Sequence, residues 1–288
     1  MPSRWFKCLD GETEEIGKCL EKRGCRMGER CATLPYLRFA AENRDWRGVT
    51  PSMAGNGPRI HLLQEQTWFT VDPYSRAFAC LGVHTHDNLS NNKLTNNVLA
   101  EERMVDPTSR GTMDLLEEDE FWDGKYLLTD YKSWGSYKVM KAMGLVKDRG
   151  AKEWYVDPEK ADMRETDLQV NRYRITAEEN GFPVSRMRVQ VIPRDANTLT
   201  ATGRGIVRPV YIIPVKQLPD ERVLTYYRKL GEAVEKGLET GWAPRCGPWE
   251  CWDGRRCNGY CDVSPACKLL DRVKSVRDLP MWVGRDSG

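Results

Sequence analysis

No stretch of this sequence approaches the roughly 20 consecutive apolar residues that a membrane-crossing helix needs. The opening Met1-Pro2-Ser3-Arg4-Trp5-Phe6-Lys7-Cys8 also lacks the apolar core of a secretory signal. The expectation is a chain with no membrane partner, staying in the cytoplasm where it is made. Charge of one sign is equally scarce: 44 Lys and Arg against 42 Asp and Glu leave a net +2. No global field therefore advertises a polyanionic partner, and any basic surface has to be local. A phosphate loop of the form G-x-x-x-x-G-K-S/T is missing, which assigns any nucleotide-driven unwinding to another protein. There is no internal repeat and no low-complexity tract.

Cysteine, by contrast, is plentiful, and its placement is uneven. Of ten cysteines, Cys8, Cys19, Cys25 and Cys31 stand near the start, Cys246, Cys251, Cys257, Cys261 and Cys267 near the end, and Cys80 alone between them. A reducing compartment disfavours structural disulfides, so two such clusters point to metal or iron–sulfur ligation. Cys80, within Ala77-Phe78-Ala79-Cys80-Leu81, reads as a small buried hydrophobe.

With 288 residues, 40% of them apolar, the chain can bury a sizeable core. Its pattern divides into a cysteine-rich segment over 1–45, a core over 46–240 and a cysteine-rich tail over 241–288. The first segment carries two short charged helical stretches and little apolar periodicity, so a metal would supply much of its stability. Residues 60–68 read as a helix, and 76–104 as helical with an Asn-rich interruption near 91. Residues 111–116 and 125–134 are rich in strand formers and joined by an acidic stretch ending in Asp123-Gly124, which predicts an antiparallel pair. A helix over 166–180 closed by Gly181, strands over 185–193 and 208–215, and a long helix over 219–240 complete an α/β pattern of helices flanking a mixed sheet.

The chemistry concentrates on Tyr126-Leu127-Leu128-Thr129-Asp130-Tyr131-Lys132, where the two-residue period of a strand puts Asp130 and Lys132 on one face. Asp130 suits a divalent cation, and Lys132 suits an attacking water or the charge that grows on a phosphate. Asp114, an acid among apolar residues, can reach the same ion across the hairpin; two carboxylates with water and substrate phosphate suit Mg²⁺ or Mn²⁺. Alone, a D-x-K pair is more often a solvated surface ion pair. Here Gly82-x-x-x-His86 precedes it and Gln169-x-x-x-Tyr173 follows it. Gln169 and Tyr173 share a helix face from which they can grip a phosphate or orient Lys132. His86 is a borderline metal ligand, whereas His61 and His84 read as structural.

Taken in order, Gly82/His86, Gly111/Asp114, Asp130/Lys132 and Gln169/Tyr173 resemble the successive motifs of the RecB-like PD-(D/E)XK nucleases, over about residues 50–270. The resemblance implies a restriction-endonuclease-like mixed sheet flanked by helices and Mg²⁺- or Mn²⁺-dependent hydrolysis of DNA. It also implies exonuclease action at DNA ends, in bacterial or phage recombination, replication or repair, alongside recombination or replication partners. Such a chain would work in the bacterial cytoplasm or, if phage-encoded, in that of the host. A homo-oligomeric ring is compatible with the small net charge, because phosphate attraction can be concentrated inside a channel.

Further upstream, Ser52-x-x-x-x-Gly57-Pro58-Arg59 is similar to the family's entry loop, making Ser52 and Arg59 candidate nucleic-acid contacts; Lys138, Lys141, Arg172, Arg174, Arg186 and Arg188 are candidate phosphate contacts, with solvation the commoner role. A cysteine commonly stands before Pro-Arg in cluster-bearing members, and here the residue is Gly57. The tail, Cys257-x3-Cys261-x5-Cys267, resembles the family's 4Fe–4S-binding tail with one residue added to its first spacing. Its fourth ligand is Cys246, Cys251 or an N-terminal cysteine, and zinc is the alternative occupant. The N-terminal four, Cys8-x10-Cys19-x5-Cys25-x5-Cys31, match no standard finger, leaving a zinc site, a shared cluster or unligated thiols open. Two other classes compete with the enzyme: a catalytically idle nuclease-fold protein that binds DNA or assembles partners, and a redox- or zinc-based regulator.

Overall fold

The computed structural model describes residues 3–21, 25, 27–42, 46–91, 98–106, 109–151 and 153–280. Two compact units emerge, one drawn from the described residues of 1–48, 55–80 and 227–288, the other from 49–54 and 81–226. The segments 1–45 and 241–288, which hold nine of the ten cysteines, both fall in the first unit.

In chain order the elements are β1 (Trp5–Lys7), β2 (Thr13–Glu15), α1 (Ile16–Glu21), α2 (Leu34–Ala41), α3 (Pro58–Gln66), β3 (Thr70–Val71), α4 (Ala77–Ser90), β4 (Val98–Asp106), β5 (Ser109–Glu118), β6 (Tyr126–Lys132), α5 (Ser136–Ala142), β7 (Leu145–Val146), β8 (Tyr155–Val156), α6 (Arg164–Glu179), β9 (Val184–Val191), α7 (Leu199–Thr202), β10 (Tyr211–Pro214), α8 (Asp220–Thr240) and α9 (Ser264–Leu270). The protein is therefore mixed α/β.

The first unit holds a small sheet in the order β2-β1-β3, antiparallel at β1–β2 and parallel at β1–β3. Its core gathers Phe6 and Val71 from those strands, Leu37 from α2, Ile60, Leu62 and Leu63 from α3, and Ala266 and Leu270 from α9. Sequence reading of residues 1–45 finds the helices but not β1 or β2, because a three-residue strand shows no measurable alternation.

The second unit is built on a five-stranded sheet in the order β10-β9-β6-β5-β4, parallel between β6 and β9 and antiparallel elsewhere. The antiparallel β5–β6 pair matches the expectation from Asp123-Gly124. Helix α6 lies against β9, β4, β5 and β6, and carries an unbroken buried run from Val170 to Ala177. It ends as expected just before Gly181, whose φ of +87° suits the left-handed residue that closes a helix. One correction concerns residues 98–104: the helix expected there is strand β4, paired along its length with β5. Its sequence, Val-Leu-Ala-Glu-Glu-Arg-Met-Val-Asp, has ordinary helix formers and no clean alternation, so pairing with β5 overrides local preference. The Asn-rich interruption near 91 lies largely outside the described residues. Cys80, expected to be buried, is half-buried, and its neighbours Phe78 and Leu81 are exposed.

Candidate functional site

β6 is buried from Leu127 to Tyr131, since it sits in mid-sheet between β5 and β9. Asp130 is thereby carried into the interior at 2% exposure. The last paired rung of β5 and β6 at that end is Leu115↔Thr129, so the antiparallel register brings Asp114 opposite Asp130 one step further on. There the Asp114 carboxylate stands in for a backbone partner: Tyr131 N–H donates to its Oδ2 at 2.6 Å. The other oxygen, Oδ1, meets Nδ1 of His86 from α4 at 3.1 Å. The His86 ring stands edge-on to Tyr131, with centroids 6.1 Å apart.

Lys132 Nζ lies 2.6 Å from Oδ2 of Asp130, a close ion pair lacking hydrogen-bond geometry, and donates to Oε1 of Gln169 on α6 at 3.1 Å. His86 and Asp114 thus form one contact group and Asp130, Lys132 and Gln169 another, set side by side by the register of β5 and β6. The ring of Tyr173 packs on Gly111 of β5; a Cβ at that glycine would come 2.7 Å from Tyr173 Cε1 and 3.0 Å from Pro51. Gly111 is therefore needed for close approach of α6 to the sheet, and Tyr173 belongs to the packing that sets the site's depth.

The electrostatics follow from burial. Desolvation pushes the Asp130 carboxyl up to about 6, with the Asp114 charge adding and Lys132 opposing. His86 is raised chiefly by its hydrogen bond to Asp114. Lys132 is held above its ordinary value by Asp130, against the effect of its own burial. A carboxyl raised on folding stabilises the native state at pH below its unfolded value, and that contribution is lost as pH climbs through the folded one. Metal-free protein is expected to lose stability between about pH 4 and pH 7 from this source. Asp130→Asn should flatten that part of the profile of denaturation midpoint against pH, and an unchanged profile would refute the assignment.

Several expected contacts with nucleic acid are turned inward. Arg59, 3% exposed, donates to the Ala243 carbonyl at 2.7 Å and to Asp271 at 2.6 Å, so it ties α3 to the tail. Arg172 and Arg174 are buried on α6: Arg172 donates to Thr176, and Arg174 is ion-paired with Glu178 and Asp220. Arg186 pairs with Asp119, Arg188 with Glu117 and Lys138 with Glu165. Ser52 is exposed in a short turn with its hydroxyl 3.1 Å from Thr50, and Lys141 is exposed on α5. His61 is buried against Trp46, and burial drives its pKa down to about 4, in keeping with a structural, neutral imidazole. His84 is exposed and bonded to Asn88.

The cysteines fall into two neighbourhoods of the first unit. In the tail, Gly57 is buried directly against Cys246: a Cβ at position 57 would lie 2.8 Å from Cys246 Sγ and 3.0 Å from its Cα. Cys246 therefore stands where a side chain from position 57 would project. Burial raises its thiol to about 11, and Glu250 and Cys261 act in the same direction. Burial likewise raises Cys261, whose neighbours include Cys257, and Cys267, which Arg59 approaches at 4.0 Å. Cys251 turns its thiol to the Pro248 carbonyl at 3.5 Å. At the other end, Cys8, Cys19, Cys25 and Cys31 share the wall of a single cavity. Burial raises Cys19, and Cys31, Cys8 and Cys25 each add to it. All ten thiols are free. Among the described residues, no three His, Cys, Asp or Glu side chains are already gathered into a group that can hold a metal ion.

What sequence reading misses is mostly backbone. The Tyr131 N–H that fixes Asp114 has no signature in residue type, nor does the contact between Gly57 and Cys246, separated by 189 positions.

No family profile matches the chain, and no curated protein matches it. Among solved structures, one titled "Crystal structure of SSO0001" is similar to it with a TM-score of 0.42 and 14% identity, over 88% of this chain and 94% of that one. A likeness of that degree carries no functional argument. Among the described residues, no helix is long and apolar enough to cross a membrane.

Proposed function

We propose that this chain is a Mg²⁺- or Mn²⁺-dependent deoxyribonuclease with a PD-(D/E)XK nuclease fold of the RecB-like type, acting on DNA ends. The observation that carries the reading is the joining of Asp114, Asp130, Lys132 and Gln169, residues of three separate elements, through the 2.6 Å and 3.1 Å contacts of Lys132 and the shared register of β5 and β6. Two carboxylates with a nearby imidazole are a donor set suited to a hard divalent cation. Mg²⁺ characteristically uses one or two carboxylates and completes its shell with water and substrate phosphate, so no preformed protein cage is required. The ion would supply Lewis acidity at the scissile phosphate.

Within that scheme Asp130 and Asp114 bind, and the Tyr131 N–H and His86 hold Asp114 in orientation. Lys132 steers a water or offsets charge on the phosphate, and Gln169 fixes the position of its ammonium. Burial excludes bulk water from Asp130 and so strengthens each of these interactions. The tail thiols Cys246, Cys257, Cys261 and Cys267 are proposed to hold a 4Fe–4S cluster, or zinc in its place. Cys246 is preferred over Cys251 as the fourth ligand because it occupies the space beside Gly57, whereas Cys251 is turned to a carbonyl.

The test is incubation of anaerobically purified protein with end-labelled linear DNA and covalently closed DNA, with Mg²⁺, with Mn²⁺ and with neither. The expected result is metal-dependent loss of label from linear DNA and survival of the closed form. Cutting of both forms would replace exonuclease by endonuclease action. No cutting with any metal, combined with salt-sensitive DNA binding, would overturn the enzyme in favour of an idle binding or assembly protein.

A further inference from the structure

We infer that Cys8, Cys19, Cys25 and Cys31 form a self-contained tetrathiolate zinc site in the first unit, separate from the thiols of the tail. All four line one cavity of about 470 Å³, and no tail cysteine lines it. Each thiol arrives from a different local structure. Cys8 opens the turn after β1, where Gly11 N–H donates to its carbonyl at 3.0 Å. Cys19 is on α1, with Arg30 bonded to its carbonyl at 2.9 Å. Cys25 and Gly28 close a tight turn by exchanging backbone hydrogen bonds of 3.3 and 2.9 Å. Cys31 precedes α2, and Tyr74 donates to its carbonyl at 2.9 Å. Four thiols brought to one wall from four such places, each tethered through its own backbone or a neighbour's, supply the number and kind of donor that a tetrahedral zinc ion takes.

The rest of the wall fits the same occupant. Phe6, Leu37 and Pro73 give the apolar surroundings that favour soft sulfur ligation, while the charged residues of the wall balance, Lys7 and Arg30 against Glu14 and Glu29. The surrounding elements are too short to be stable unaided: β1 and β2 have three residues each and α1 has six. A helix of that length needs tertiary support, which a metal can provide. Zinc entry balances simply. Four S–H bonds break, four Zn–S bonds form, four protons pass to water, and the centre carries two negative charges with no change of oxidation state. The thiols, sharing a wall but not yet gathered as ligands, close on the ion as it binds.

The chain, isolated anaerobically from zinc-replete cells, should carry at least one tightly held zinc by elemental analysis. That zinc should persist in Cys257→Ser/Cys261→Ser, and should fall at least about tenfold once Cys8→Ser/Cys25→Ser is added to that variant. Because the latter variant can fail to fold, two measurements use the unaltered chain. Cobalt loading should give the visible spectrum of a tetrahedral tetrathiolate centre. Alkylation followed by mass spectrometry should find the four N-terminal thiols protected until a chelator is added. Wild-type protein that is folded yet free of zinc, with those thiols reactive or paired as disulfides, would overturn the inference, as would zinc retained when Cys8→Ser/Cys25→Ser is combined with Cys257→Ser/Cys261→Ser. Zinc content is read without any nuclease assay, so a chain that holds zinc and cuts nothing would sink the proposed activity alone.

Discussion

Lys132→Ala is expected to lower metal-dependent DNA hydrolysis by roughly a hundred to a thousandfold, and Asp130→Asn by about a thousandfold or more, each without loss of the fold. Lys132 contributes only where its ammonium can act on a phosphate or water, and its contacts to Asp130 and Gln169 hold it in that place. Asn at 130 keeps the volume and removes the charge. Burial disfavours the ionised carboxyl there, which offsets part of the cost of leaving the Lys132 ammonium without its charged partner. Gln169→Ala removes only the support of Lys132 and should cost about 10- to 100-fold, the range typical of groups that orient a functional residue. Circular dichroism and thermal melting would confirm that each variant is folded, and end-label release would measure activity. Activity near the wild-type level in both Lys132→Ala and Asp130→Asn would remove the nuclease reading, whatever DNA cleavage the preparation showed.

The placement of Asp130 and Lys132 was legible because strand geometry is simple. A two-residue period places Asp130 beside Lys132, and Asp123-Gly124 announces the turn that brings β5 back antiparallel to β6. The helical partner was legible for a similar reason, since Gln169 begins an i, i+4 pair. What spacing does not reveal is the neighbours: Gln169 reaches Lys132, and Tyr173 packs on Gly111. The arginines were the least legible. Arg172 and Arg174 stand in a strongly polar helix, and only tertiary packing turns that stretch inward, with Glu178 and Asp220 supplying counter-charges for Arg174. Arg59 repeats the pattern, its partner Asp271 being 212 residues away. Strand β4 failed for a related reason. Its residues have no strong local preference, and the partner that decides the matter begins only at Ser109.

The exchange of Gly57→Cys with Cys246→Gly should preserve the proposed tail cluster that Cys246→Gly alone destroys. Position 57 and Cys246 compete for one space: a Cβ at 57 falls 2.8 Å from the Cys246 sulfur, 2.9 Å from Glu250 Oε2 and 3.0 Å from the Cys246 Cα. The Glu250 carboxylate ends a flexible side chain and can swing away, but the Cys246 Cα belongs to the backbone and cannot. Gly57→Cys alone therefore overpacks this part of the first unit, at a cost of about 1–3 kcal/mol, and should lower the melting temperature. Cys246→Gly alone leaves three of the four proposed ligands and a gap, with the Cys251 thiol turned to the Pro248 carbonyl, so visible iron–sulfur absorption should fall to background after anaerobic reconstitution. In the double variant a thiol from position 57 extends into the volume that Cys246 has vacated, and both the absorption and the melting temperature should recover most of their wild-type values. That reciprocity separates a ligand from a packing residue. Full absorption in Cys246→Gly would show that Cys246 holds no cluster, and failure of the double variant to recover it would show that position 57 and position 246 do not share one role.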